Sequence, residues 1–194
     1  MGILGKLKDV KREIIDTGTA VKRLSEKGVI DFRDLKTTAA TAKGTKVVGP
    51  PAPVLALNAQ RYGDQRAFTD EHGSLTWTEL NDQANALANK LLAFGLKPGA
   101  TVGIMARDHR AIPLALGAAG RAGVRLALLN TGTARNQFTE VALREKVEAL
   151  LYDAEFAEVV SDMPEMPRIL TWVDEDTVVP DGVLTLDEVI SEGS

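Results

Sequence analysis

An α/β fold is what this sequence predicts: a parallel sheet with helices on both faces, preceded by a basic amphipathic helix. Three observations lead there. Short apolar runs alternate with stretches of helical spacing through the middle of the chain, which is the rhythm of strand–helix–strand crossovers. Capping and turn residues fall at the junctions. Charge is segregated along the chain: net +5 over residues 1–48, +2 over 49–149 and −11 over 150–194.

The first 36 residues read as a helical arm. Leu7, Val10, Ile14, Thr17, Val21 and Leu24 recur at spacings of three and four, which puts them on one face. Lys8, Lys11, Arg12, Lys22 and Arg23 lie among the basic residues on the other sides. Such a stripe commonly docks on the rest of its own protein. A basic amphipathic helix also suits an anionic membrane surface, so these five residues are the candidates for peripheral membrane contact. Residues 37–53, with two Gly and three Pro among small side chains, read as a linker. The α/β domain is then 54–194.

Within it, residues 66–69 and 74–76 are short extended runs around Glu71-His72-Gly73, the pattern of a hairpin. Thr76-Trp77-Thr78-Glu79 fits a capping box, with Thr76 as N-cap and Glu79 returning to its amide. Leu80, Ala84, Leu87, Leu91 and Phe94 follow at helical spacing, and Gly95 ends the helix. Strands are expected at 101–106, 125–129 and 149–152. Helices are expected after the Arg107-Asp108-His109-Arg110 stretch through about Gly120, with Asp108 as N-cap of a start near His109, and over 136–147. The small residues Gly117, Ala118, Ala119, Gly120, Ala122 and Gly123 predict close approach of the first of these helices to the sheet. Beyond Tyr152 the pattern weakens to a strand at 168–173 and a short helix at 186–190.

Composition narrows the function. The 194 residues carry 44% hydrophobic and 26% charged side chains, enough for one sizeable core. A net charge of −4 argues against a nucleic-acid partner. The absence of cysteine removes disulfides, thiolate nucleophiles and cysteine zinc sites, and two histidines are too few for a histidine-rich metal centre. No apolar run approaches the roughly 18 residues of a membrane span, and the start lacks signal-peptide features. A cytoplasmic location is therefore expected.

Open α/β sheets bind ligands outside the carboxyl ends of their strands. Two loops are placed there. Arg107-Asp108-His109-Arg110 follows the first strand of the parallel series, and Asn130-Thr131-Gly132-Thr133 follows the second. Asp108, His109, Asn130 and Thr131 are thus the ligand-proximal candidates. His109 can act as acid, base or donor; a histidine beside a helix start also has an ordinary structural use. Arg107 and Arg110 have the fork geometry for phosphate. Asn130 and Thr131 can reach a ligand, or satisfy the backbone of their own turn. No G-x-x-x-x-G-K-[ST], G-x-G-x-x-G or G-x-S-x-G motif occurs, so no catalytic residue and no metal ligand is assigned.

Residues 67–156 nevertheless resemble the N-terminal part of the adenylate-forming acyl-CoA synthetases, most of all the actinobacterial long-chain fatty-acid–CoA ligases. Three stretches carry the likeness. GSLTWTEL (73–80) resembles the family's G-x-L-T-[FY]-x-E-L entry from hairpin to helix. GLKPGATVGIMAR (95–107) resembles G-[VL]-x-P-G-D-x-V, with Ala100 in place of the usual Asp. LLNT (128–131), after Gly123 and before Gln137, resembles A-G-A-x-x-[VL]-L-N-T. Asp108 stands where Asn is common, and Pro113 is unusual at its position.

The resemblance implies a fatty-acid substrate with ATP, CoA and Mg²⁺, and a reaction through an acyl-adenylate. It also implies that the phosphate-binding loop, the ribose-binding aspartate and the catalytic lysine lie beyond the stretch read here. LTLDEVISEGS (184–194) is similar to the segment shortly before that loop. The expectation is an N-terminal portion that is inactive alone and holds no cofactor. A non-catalytic module that binds acyl groups, CoA or a partner subunit is the alternative.

Overall fold

The computed structural model describes residues 51–174 and 176–193, together with the isolated helical positions Thr19, Lys22, Arg23 and Lys43. The chain divides after Lys43 into two compact units, and the second carries everything that follows. Lys8, Lys11 and Arg12 lie outside the described residues; Lys22 and Arg23 are helical and exposed.

The first described element of the second unit is a helix that the linker expectation does not include. Helix α1 spans Pro51–Tyr62, so residues 51–53 are its first turn and not linker. Proline is tolerated there because a first-turn N–H has no intrahelical acceptor to lose. Ala52, Leu55 and Leu57 are its buried face.

Strands β1 (Arg66–Asp70) and β2 (Gly73–Thr76) form the expected hairpin as a separate antiparallel pair. Helix α2 (Trp77–Ala93) starts at the expected capping box: the Glu79 amide donates to Thr76 Oγ1, and the Thr76 amide donates to Glu79 at 2.7 Å. These donors hold the Glu79 carboxyl below its usual range.

The main sheet contains β3 (Thr101–Met105), β4 (Arg125–Leu128), β5 (Val147–Asp153), β6 (Arg168–Trp172) and β7 (Leu184–Thr185). Its order is β4-β3-β5-β6-β7, and every neighbouring pair is parallel. Helices α3 (Ala111–Ala122), α4 (Arg135–Arg144) and α5 (Leu186–Glu192) complete the unit. Both faces of the sheet are covered, as parallel sheets require. Val102, Ile104, Ala149, Leu151 and Ile169 point to one side and pack with residues of α1, α2, α3 and α5. Met105, Leu150, Tyr152 and Leu170 point to the other, against Phe138 and Ala142 of α4 and the buried Phe156, Val160 and Met163.

Three local expectations are corrected. The helix expected over 136–147 stops at Arg144, because Lys146 takes a left-handed φ of 55° and Val147 opens β5. Gly117 serves a close approach of α3 to other helices: a Cβ there would collide with Leu55 and stand 3.0 Å from Ala84 Cβ. Asp108 does not cap α3. Arg110 occupies the N-cap position, and no side-chain cap bond is made from it.

Candidate functional site

At the carboxyl ends of β3, β5 and β6 lies an open cleft of about 490 Å³. Each wall follows from where an apolar strand runs out. β3 ends at Met105, and the chain turns through Arg107-Asp108-His109 into α3. β5 ends on Asp153, β6 ends on Trp172, and the tip of the β1–β2 hairpin brings in Glu71.

Asp153 is the hub. Only 2% of it is exposed, yet its carboxylate accepts three hydrogen bonds from two segments, the 107–110 loop and β6. The Arg107 amide donates to Oδ2 at 2.7 Å. His109 Nε2 and the Thr171 hydroxyl meet Oδ1 at 2.8 and 2.6 Å. The other ring nitrogen of His109, Nδ1, accepts from the Ala111 amide at 3.3 Å. An accepting Nδ1 places the ring proton on Nε2, where it is donated to Asp153. His109 is buried, and both nitrogens are engaged within the fold, so it presents no free lone pair to the cleft. Its ring also leans on Trp172, centroids 4.6 Å apart, while His72 from the hairpin stacks on the same indole at 3.7 Å.

Both arginines of the 107–110 loop are paired with carboxylates of the fold. Arg107 forks onto Glu155 with bonds of 2.8 and 2.6 Å, which lower the Glu155 carboxyl and raise the guanidinium. Arg110 donates to Asp70 from Nε, Nη2 and its own amide. The Asp70 side chain is 1% exposed, and the hydrogen bonds from the Arg110 guanidinium outweigh its desolvation, pulling its carboxyl down to about 2. Asp70 thereby occupies the N-terminus of α3, where anions otherwise gather.

Asp108 is exposed and lines the cleft beside His109. Asn130 and Thr131 are not brought to it. Asn130 Oδ1 accepts from the Gly132 amide at 2.9 Å, closing the loop's own turn. Asp153, Thr171, Trp172 and Glu155 were not singled out from sequence. The available signal was a polar residue closing an apolar strand, as Asp153 closes ALLY.

The lining counts five carboxylates, from Glu71, Asp108, Asp153, Glu155 and Asp174, against the single arginine Arg107. A field of that sign repels phosphates and carboxylates and favours neutral or cationic groups. The cleft therefore does not fit a nucleoside triphosphate, its magnesium complex or CoA. Among the described residues no group of three or more His, Asp or Glu is arranged to hold a metal ion. No described helix is long and apolar enough to cross a membrane.

Residues 55–193 match the family described as AMP-binding enzyme. The rat protein named long-chain fatty acid transport protein 1 is 32% identical over 143 residues, covering 69% of this chain and 22% of that protein. A mitochondrial medium-chain acyl-CoA ligase of Macaca fascicularis is 27% identical over 161 residues, covering 72% and 26%. Among solved structures, a benzoate CoA ligase from Burkholderia xenovorans superposes with a TM-score of 0.64 at 22% identity, over 73% of this chain and 28% of that one. The chain thus spans about a quarter of the length of the relatives it matches.

Proposed function

The chain belongs to the AMP-binding enzyme family, and from that premise we propose that it is the N-terminal part of an ATP-dependent fatty acyl-CoA ligase. The match over residues 55–193 carries the reading. The names of the rat and macaque relatives support a fatty-acid substrate. The proposed reaction activates a fatty carboxylate as its acyl-adenylate, with release of pyrophosphate, and then transfers the acyl group to the CoA thiol. ATP, CoA and Mg²⁺ belong to that reaction. The carboxylate lining of the cleft does not fit them, so no step is assigned to this sheet.

Its own contribution is scaffolding. The hub at Asp153 ties the ends of β3, β5 and β6, and the Asp70–Arg110 pair ties the hairpin to α3. Asp108, His109, Asn130 and Thr131 remain the ligand-proximal residues of the proposal, of which Asp108 and His109 line the cleft, and the 194-residue chain alone does not adenylate. Peripheral membrane contact through residues 1–36 belongs to the same proposal and rests on the amphipathic pattern.

Palmitate-dependent exchange of pyrophosphate into ATP tests the reading. The isolated chain should show none, and a protein extended through its complete reading frame should show it. No exchange by the extended protein with any fatty acid would overturn the proposed activity. Binding of acyl-CoA without turnover would favour the non-catalytic module.

A further inference from the structure

We draw no further inference here: the strongest candidate, the carboxylate-lined cleft at the carboxyl ends of β3, β5 and β6, belongs to the site already described, and nothing in the structure shows what enters it.

Discussion

Replacing Asp153 with asparagine removes one charge and almost no volume, which isolates the hydrogen-bonding role of the hub. Three donors converge on the carboxylate: two on Oδ1, from His109 and Thr171, and one on Oδ2, from the Arg107 amide. An amide has one acceptor oxygen. If that oxygen takes the Oδ1 position, its NH₂ group faces the Arg107 N–H. If it is turned over, the NH₂ group faces the Nε2 proton of His109. Moving that proton to Nδ1 only transfers the conflict to the Ala111 amide. Either way a buried or part-buried donor is stranded, at a cost of about 1–3 kcal/mol. Loss of the charge-assisted bonds adds to this, so about 2–4 kcal/mol is expected in all. At about 2–4 °C per kcal/mol for a chain of this size, the melting midpoint should fall by roughly 5–15 °C. Urea unfolding followed by circular dichroism should show a lower midpoint with an unchanged slope. Asp108→Asn, at the exposed neighbour in the same cleft, should stay within about 0.5 kcal/mol of the parent. A D153N protein that melts within a degree of the parent would refute the hub.

The Asp70–Arg110 pair makes stability depend on pH in a defined direction. The Asp70 carboxyl is depressed from its usual value of 3.8 to about 2, so its stabilisation is complete above about pH 4 and is lost as pH falls through 2. At about 1.4 kcal/mol per pH unit this amounts to about 2 kcal/mol. Asp70→Asn should flatten that part of the stability–pH curve, and an unaltered acid limb would contradict the assignment. Liposome co-sedimentation with anionic vesicles should be lost when residues 1–36 are deleted; equal binding by both proteins would reject the membrane contact.

The elements were legible wherever a pattern is local. The Thr76–Glu79 capping box, the hairpin around His72 and the strand expected at 101–106 rest on residues a few positions apart, and the folded chain keeps them, the strand as Thr101–Met105. Helix α1 was not legible, because Pro51 and Pro53 carry the same signal at a helix start as in a linker. The site was legible only in outline. Strand-end logic led to the 107–110 loop, but the fate of His109 and the arginines depends on Asp153, Glu155 and Asp70, which lie 40–48 residues away in sequence. Spacing along one segment carries no trace of such partners. A helix start beside Asp108 also reads as a cap, although the chain satisfies that end with Asp70 and the His109 ring.

On the proposed function this parallel sheet frames an adenylating enzyme, while the five carboxylates of its strand-end cleft disfavour anionic reactants. The direct measurement is titration of the ¹⁵N-labelled 194-residue protein with ATP and Mg²⁺, and separately with CoA, followed through the amides of Arg107, His109 and Asp153 and the Trp172 indole. The account predicts no saturable shift of these signals up to millimolar ligand. Saturable shifts confined to the cleft would contradict it.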